Sequence, residues 1–252
     1  MPNRKNNIIG YVTLIIVIII ALEVVLFLLN KNSVPIITEK EKENALVNVG
    51  NGTIVKMKLP AVDSEGNGVS TLLTVEAVQG TGRTLADIEN LLFWADTQQS
   101  IRMARLVATN FSIKNINDYD LIYGIEANAS LIGGPSAGAA ITIATILALN
   151  NETPNKEVMI TGAINHDGSI GPVSGILEKA NASKQAGAKI FLVPLLQSRD
   201  VIYETIEHCE KFGLSEICQT ETTPRKINVS EEAGIQVIEV ADISEALRYF
   251  KI

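Results

Sequence analysis

The sequence predicts a mixed α/β domain that follows one N-terminal transmembrane helix. The first observation behind this prediction is an apolar run close to the N-terminus, from Ile8 to Leu29. The second is that strand-like and helix-like stretches interleave over the roughly 200 residues of the remaining domain. The third is the composition, because 46% of the residues are apolar and 19% are charged, which is enough apolar material for a packed core.

The apolar run is long enough to cross a bilayer. It contains a single charge, Glu23, and at ~1.5 Å per residue a helix of this length covers about 33 Å. A cleaved signal peptide is the alternative, but its apolar region is usually only about 7 to 15 residues long, and no small-x-small cleavage site follows Leu29. We therefore expect an uncleaved anchor in residues 1–30.

The charges that flank this run predict its orientation. Arg4 and Lys5 precede it, whereas Lys31 and a mixed-sign segment follow it. The positive-inside bias predicts a single-pass cell membrane protein with a cytoplasmic N-terminus and an extracytoplasmic C-terminal domain. Asn-x-Ser/Thr sequons agree with an exported domain. They begin at Asn51, Asn110, Asn128, Asn151, Asn181 and Asn228.

The rest of the chain divides into a stalk and one domain. Residues 31–50 are polar and mixed in charge, without a sustained apolar period, and are predicted to be a stalk. Residues 51–252 are predicted to be the folded domain. Its first element is expected to be a hairpin, because residues 52–62 and 70–78 are rich in β-branched residues and enclose the turn-forming sequence DSEGNG.

Further elements follow from apolar periodicity and helix caps. Asp96 is predicted to cap a helix over residues 97–110, and residues 137–149 are apolar all round, which predicts a buried helix. Further strands are expected at 119–127, 157–164, 188–194 and 235–240. Further helices are expected at 174–188, 198–212 and 243–250.

Charge and cysteine content exclude several classes of partner. The chain has 21 Lys plus Arg against 28 Asp plus Glu, so that no positive excess is present to neutralise the phosphates of a nucleic acid. No CxxC motif and no His/Cys cluster supplies four ligands for a structural zinc site. We therefore expect no nucleic-acid partner, no metal and no cofactor.

A glycine-rich turn carries the first candidate catalytic residue. In the sequence Ile132-Gly-Gly-Pro-Ser-Ala-Gly138, Ser136 is expected at the first turn of the buried helix. There it is either a helix cap or a nucleophile beside an oxyanion hole formed by backbone N–H groups. The turn fits the bare G-x-S-x-G expression, but His166 and His208 are the only histidines and neither is well placed for a Ser-His-Asp triad.

A buried lysine is the alternative base for such a serine. Burial lowers the pKa of a lysine and so makes the neutral amine accessible near pH 7 to 8. At about 100° per residue, Lys179 shares a helix face with Ile176, Ser183 and Ala186, whereas Lys184 points away from that face. Lys179 is therefore the lysine expected to be desolvated, although a solvated surface lysine is the competing interpretation.

Together, the segments GGPSAGAAITIATILAL and MITGAINHDGSIGPVSGILEKANASKQAGAKIFLVP resemble the proteolytic domain of the Lon family (S16-type) of Ser-Lys peptidases. The resemblance covers about residues 70–252. Ser136 lies in the GPSAG turn and Lys179 lies 43 positions later in a Gly-x-x-Glu-Lys stretch, with Thr161-Gly162 and Asp167-Gly168 between them. The chain looks most like the stand-alone archaeal serine proteases of this family, which have no attached ATPase.

The resemblance implies a fold, an activity and a set of roles. It implies the Lon proteolytic-domain fold, which is like that of ribosomal protein S5 domain 2, and hydrolysis of polypeptides by a Ser136–Lys179 dyad. It implies a homo-oligomer. It also implies that Thr161 positions Lys179 through a hydrogen bond.

Two further sets of residues are expected to serve the reaction. Backbone groups of the serine turn, which includes Gly134, Pro135 and Ala137, are expected to form the oxyanion hole. The extended segment that begins with Ile125, Glu126, Ala127 and Asn128 is expected to pair with substrate as an added strand. Because the sequence holds no GxxxxGK[ST] loop, we expect activity without ATP on peptides and on unfolded or flexible chains.

The sequence departs from the family pattern at three places. Gly133 stands where many Lon enzymes carry an acid, and Ala163 stands where Glu is common. Residues 207–232 look like an insertion, within which Cys209 and Cys218 either form a disulfide or remain free thiols. Two other functions therefore stay open: a catalytically inactive membrane-anchored scaffold, and a module that binds an anion or phosphate at the glycine-rich turn.

Overall fold

The domain was analysed in a computed structural model. The residues that it describes are 46–49, 52–87, 95–126, 134–212 and 215–251. They belong to a compact unit that runs from Asn44 to Ile252. Its strands and helices are mixed along the chain, which confirms the predicted α/β class.

One sheet of five strands forms the N-terminal half of this unit. Its strands are β1 Leu46–Val49, β2 Gly52–Val62, β3 Gly68–Gln79, β4 Thr84–Ala86 and β5 Tyr119–Glu126. Their order across the sheet is β1-β2-β3-β5-β4, and all neighbours are antiparallel except β4 and β5, which are parallel. The alternation of buried and half-buried residues along β3 and β5 shows that one face of the sheet covers the core.

The predicted hairpin is confirmed as β2 and β3. Asp63 closes its turn, since its Oδ1 accepts hydrogen bonds from the N–H groups of Glu65 and Asn67 at 2.9 and 2.8 Å. The stalk prediction was wrong at its C-terminal end, because Leu46–Val49 pairs with the start of β2. A strand of four residues is too short to give a periodic signal in the sequence.

Two helices belong to the same apolar core as this sheet. They are α1, Ala95–Ala108, and α2, Gly138–Asn150. Helix α2 packs against strands β2 and β3 of the sheet, and α1 packs against α2. All of residues 138–149 are buried, as predicted, and the hydroxyls of Thr142 and Thr145 donate to backbone carbonyls one turn earlier. Asp96 lies inside the first turn of α1, where its carboxylate accepts from the Thr97 N–H, so that the prediction of Asp96 as the residue before the helix was wrong.

A second sheet, buried on both faces, forms the C-terminal half. It consists of β6 Val158–Ile160, β9 Ile190–Pro194 and β12 Gln236–Val240, all parallel, in the order β12-β9-β6. Alternate residues face two separate apolar clusters: Ile160 and Leu192 join the main core around α2, and Met159 and Phe191 join the second cluster. Such two-sided burial explains the continuous apolar runs of these strands.

The remaining short elements around this sheet are a pair of strands and three helices, and the helices contribute to the two apolar clusters. A two-residue pair, β7 Ala163–Ile164 and β8 Ile170–Gly171, follows β6. Helix α3, Ile176–Gln185, contributes to the second apolar cluster, as does α4, Val229–Ala233. Helix α5, Ile243–Phe250, joins the main core. The strand predicted at 157–164 is therefore interrupted at Thr161-Gly162, where Gly162 has a φ of 153°.

A long, exposed hairpin lies where a helix was predicted. The prediction of a helix over residues 198–212 was wrong, because Arg199–Phe212 forms strand β10 and pairs with β11, Ser215–Asn228, along its full length. Local periodicity does not reveal such a partner strand. The predicted insertion, residues 207–232, covers the end of β10, all of β11 and all but the last residue of α4. Cys209 and Cys218 face each other across the two strands and form a disulfide.

Several predicted features lie outside the described residues. They include the anchor, most of the stalk, Gly133, and Ala127 and Asn128 of the substrate segment. Within the part of the chain that the structure describes, no helix combines the length and the apolar character needed to cross a membrane. The anchor and its orientation therefore stay predictions.

Candidate active site

The turn that carries Ser136 connects the first sheet to the buried helix. Gly134 has a φ of 116°, which favours glycine, and Pro135–Ala137 forms one turn of 3-10 helix directly before α2. Ser136 is half-buried, and no hydrogen bond of its hydroxyl is found among the described residues. The prediction that Ser136 lies at the entrance to the buried helix is confirmed.

The end of β6 fixes this turn in place. The Gly162 N–H donates to the Ser136 carbonyl oxygen at 2.9 Å, and the Ala139 N–H donates to the Gly162 carbonyl oxygen at 3.0 Å. Thr161 is buried, and its Oγ1 donates to the same Ser136 carbonyl oxygen at 3.3 Å. The Thr161 N–H in turn donates to Leu192 in β9 at 3.1 Å. The second sheet therefore supports the serine directly.

The hydroxyl of Thr161 binds the backbone of the serine turn. The sequence predicted a hydrogen bond from Thr161 to Lys179, but the hydroxyl donates to the Ser136 carbonyl oxygen instead. The reason is that Thr161 directly follows β6, next to Gly162, whose N–H binds the serine turn, so the backbone of that turn lies within reach of the Thr161 hydroxyl. The structure thus joins Thr161 to Ser136, and the positioning of Lys179 by Thr161 stays a prediction.

Lys179 is buried within the second turn of α3. Only 4% of the residue is exposed, and Ile176, Ala180 and Ser183 are buried on the same side of the helix. Lys184 is exposed, so the face predicted from the helical period is confirmed. Burial lowers the pKa of Lys179 to about 8, although the negative charge of the neighbouring Glu178 acts in the opposite direction.

The Lys179 ammonium is held by a backbone carbonyl. Its Nζ donates to the Ser174 carbonyl oxygen at 2.9 Å. Among the described residues no hydrogen bond joins Lys179 Nζ to Ser136 or to Thr161. Sequence reasoning missed Ser174 because its contribution is a main-chain oxygen, for which side-chain patterns give no signal.

The first two residues of the predicted substrate segment lie at the end of β5. Ile125 is buried and Glu126 is half-buried, and β3 pairs with both residues along one edge. On the other edge, β4 pairs only as far as Tyr123. The chain that follows Asp87 lies outside the described residues, so pairing of a substrate strand with Gly124–Glu126 stays a prediction. A cavity of about 200 Å³ opens next to Ile125 and Glu126 on the outer face of the sheet.

One group of potential metal ligands occurs in the described part of the chain. The ligand atoms of Glu207, Cys209 and Cys218 lie within 4.8 Å of one another, and all three residues are exposed. The two sulfur atoms are bonded to each other, so they are not thiolate ligands in this state. In this state Glu207 is therefore the one residue of the group that offers a metal ligand.

Comparison of the amino-acid sequence with known proteins shows which family of domains this chain is similar to. The family profile of the Lon protease (S16) C-terminal proteolytic domain matches residues 69–217. Lon protease of Rickettsia prowazekii is 32% identical over 159 residues, which is 59% of this chain and 20% of that protein. Lon protease of Rickettsia felis is 33% identical over 138 residues, which is 52% of this chain and 17% of that protein.

A third relative matches a shorter region. Lon protease of Desulfovibrio desulfuricans is 35% identical over 86 residues, which is 34% of this chain and 10% of that protein. The matched region thus spans a fifth or less of the length of these relatives.

Proposed function

Since the chain belongs to the Lon protease (S16) family, we propose that it is a serine endopeptidase that cleaves unfolded or flexible polypeptides without ATP, with Ser136 as nucleophile and Lys179 as general base. The similarity to Lon proteases supports a serine protease function. The observation that carries the assignment of the base is the burial of Lys179, which brings its pKa to about 8. A lysine with this pKa is partly neutral near pH 7 to 8 and can accept a proton.

In the proposed first step, Ser136 Oγ attacks the carbonyl carbon of the scissile peptide bond while neutral Lys179 accepts the hydroxyl proton. The tetrahedral intermediate collapses when the C–N bond breaks, and the lysine returns the proton to the leaving amine. This step leaves an ester between Ser136 and the acyl part of the substrate. Water then attacks the ester carbonyl carbon while Lys179 accepts a proton from the water. The bond between the acyl carbon and Ser136 Oγ breaks, Lys179 returns that proton to Ser136 Oγ, and the acid product leaves and ionises in solvent.

The oxyanion is proposed to bind to backbone N–H groups of the serine turn. Pro135 has no N–H, so the donors within the 3-10 turn are those of Ser136 and Ala137. Both lie at the N-terminal end of α2, where the partial positive charge of the helix favours a developing negative charge. Gly134 permits the sharp entry into this turn through its positive φ.

Transfer of the proton requires Lys179 to change partner. In this structure its Nζ donates to the Ser174 carbonyl oxygen. Contacts between catalytic groups are often long or poorly aligned without substrate, and they tighten in the complex. We propose that the neutral amine leaves Ser174 and turns toward Ser136 when substrate lies along β5.

Location and assembly are part of the same proposal. We propose that residues 1–30 anchor the peptidase in the cell membrane with the domain outside the cytoplasm, and that the chain forms a homo-oligomer. The apolar run from Ile8 to Leu29 supports the anchor. The disulfide between Cys209 and Cys218 supports an oxidising compartment.

The test is hydrolysis of unfolded casein and of a quenched peptide library by the full 252-residue chain in detergent, without ATP. Ser136→Ala and Lys179→Ala are expected to abolish cleavage while leaving the circular dichroism spectrum unchanged. Ser70→Ala and Lys184→Ala, at exposed positions, are the matched controls and are expected to cleave as the wild type does. Cleavage that survives Ser136→Ala would refute the proposed nucleophile, and cleavage that depends on added ATP would refute ATP independence.

A further inference from the structure

The acceptor of the Lys179 ammonium lies on a short exposed segment between β8 and α3. Ser174 is exposed, and Gly175, which follows it, has a φ of 68°. This segment belongs to no strand or helix. The position of the Ser174 carbonyl oxygen therefore depends on whatever holds the backbone of Val173 and Ser174.

The side chain of Gln197 holds that backbone at two points. Its Oε1 accepts from the Val173 N–H at 2.9 Å, and its Nε2 donates to the Val173 carbonyl oxygen at 2.6 Å. One amide side chain thus satisfies both polar groups of a residue that has no strand neighbour to do so. The peptide group of Val173 leads directly into Ser174.

Gln197 is itself fixed by the loop that follows β9. The Gln197 N–H donates to the Pro194 carbonyl oxygen at 3.2 Å, and the next residue, Ser198, donates its N–H to Glu239 Oε1 at 2.9 Å. Leu196, which precedes Gln197, has a φ of 65°, an unusual backbone conformation for a residue with a branched side chain, and its side chain is almost fully exposed. The loop therefore adopts a strained conformation that aims Gln197 at Val173.

From these contacts we propose that Gln197 is a positioning residue of the active site: by clamping Val173 it sets the place of the Ser174 carbonyl oxygen and, through that oxygen, the resting orientation of Lys179 Nζ. The inference rests on the proposed Ser136–Lys179 function. Gln197 touches neither Ser136 nor Lys179 and acts through one peptide segment. Leu192 of β9 also accepts the Thr161 N–H, so β9 supports the serine turn through Leu192 and the loop that follows β9 supports the lysine segment through Gln197.

The test compares Gln197→Leu with Gln197→Asn in the full-length chain, using a quenched peptide. Leucine is close in size and removes both hydrogen bonds, so we expect kcat to fall about tenfold or more while KM changes less than twofold. Asparagine keeps an amide donor and acceptor on a shorter side chain and is expected to recover part of kcat. Gln185→Leu, at an exposed position on α3, is the matched control and is expected to keep wild-type kcat.

A general loss of folding would lower the midpoint of thermal unfolding and the fraction of enzyme that is active. Active-site titration measures this fraction, so that kcat can be given per active site. The inference is overturned if kcat per titrated site is unchanged in Gln197→Leu, or if the loss of kcat/KM in this variant comes entirely from a higher KM. It is also overturned if kcat of Gln197→Asn is not higher than that of Gln197→Leu. Failure of the proposed function is recognised separately, because then the wild type itself is inactive or Ser136→Ala retains activity.

Discussion

The carbonyl oxygen of Ser136 accepts hydrogen bonds from both the N–H of Gly162 and, at 3.3 Å, the hydroxyl of Thr161. Ser136 lies directly before α2, which packs against the first sheet, whereas Thr161 and Gly162 directly follow strand β6 of the second sheet. The two halves of the domain are therefore joined at the residue that we propose as nucleophile. These two hydrogen bonds form a tether between the serine turn and the end of β6. Because the tether holds the backbone of Ser136, it fixes the turn and leaves the side-chain hydroxyl available to react.

Thr161→Val tests the contribution of the side chain to this tether. Valine has the shape of threonine without the donor, so that the Ser136 carbonyl oxygen keeps only its bond from Gly162. We expect a loss of stability of about 1 kcal/mol or less, since the acceptor remains satisfied. We also expect about a tenfold lower kcat, equal to about 1.4 kcal/mol in the barrier. Chemical denaturation measures the loss of stability, and peptide hydrolysis measures the loss of kcat. Thr161→Ser keeps the hydroxyl and is the control variant, which should retain most of the activity.

The pH dependence of the peptidase is expected to follow Lys179. Its pKa of about 8 lies well below that of a solvated lysine, so the neutral base forms as pH rises through about 8. We expect kcat/KM to increase across this range, with a midpoint near pH 8, and to fall tenfold per pH unit on the acid side. A pH series between 6 and 9.5 with one peptide measures this. A profile of kcat/KM that still rises tenfold per pH unit at pH 9.5, without approaching a plateau, would contradict the assignment, because it would describe a solvated lysine.

Lys179→Met is expected to stabilise the domain at neutral pH while abolishing activity. A lysine whose pKa is about 8 in the folded protein and 10.5 otherwise costs about 3 kcal/mol of stability below pH 8, where it is charged in both states. The cost is relieved as pH rises from about 8 to 10.5, because only the unfolded chain still binds the proton. Methionine fills the same space without charge.

Urea unfolding of Lys179→Met at pH 7 and at pH 10.5 measures this effect, with Lys184→Met as the matched control at an exposed position of the same helix. The stabilisation should be large at pH 7 and small at pH 10.5. Equal effects at both pH values would mean that the gain comes from packing and not from the buried charge.

The fold and the candidate site could be predicted from sequence where the signal is local. The β2–β3 hairpin follows from β-branched runs around a turn, and the burial of Lys179 follows from the helical period that it shares with Ile176 and Ser183. The hydrogen bond of Thr161 could not be predicted, because it depends on where the end of β6 lies relative to the serine turn. The Gln197 clamp has no local signal either, since it joins a loop to a backbone 24 positions away.

The exposed hairpin shows the same limit. Residues 199–212 were predicted to be helical, but the partner strand β11 determines their conformation, in agreement with the context dependence of strand propensity. The pairing of Cys209 with Cys218 was one of two open alternatives in the sequence, and the facing register of the strands decides it.

Removal of this disulfide is expected to loosen the distal hairpin without affecting catalysis. Tyr203 is 71% exposed, and all residues from there to Lys211 are exposed, so the core does not cover this described part of β10. A two-stranded hairpin alone is only marginally stable. In the double variant Cys209→Ser/Cys218→Ser we expect faster trypsin cleavage after Lys211 and an unchanged kcat. Equal trypsin rates with and without the disulfide would show that strand pairing alone suffices.

Gly162→Ala is expected to disturb both the stability and the activity of the domain. A Cβ at this position would lie 2.3 Å from Cγ2 of Ile170, and the φ of 153° is one that favours glycine. We expect a loss of about 2 kcal/mol or more in unfolding free energy, from backbone strain and the clash together.

The activity of Gly162→Ala should fall for a separate reason. Relief of the clash moves the Gly162 N–H away from the Ser136 carbonyl oxygen, so that the serine turn loses its backbone tether to β6. Gly171→Ala is the matched control, because its Cβ would meet its nearest neighbour at an ordinary 3.5 Å. Comparison of kcat per titrated active site for the two variants separates the effects: if Gly162→Ala is unstable but retains full kcat per site, the tether to Ser136 does not contribute to catalysis.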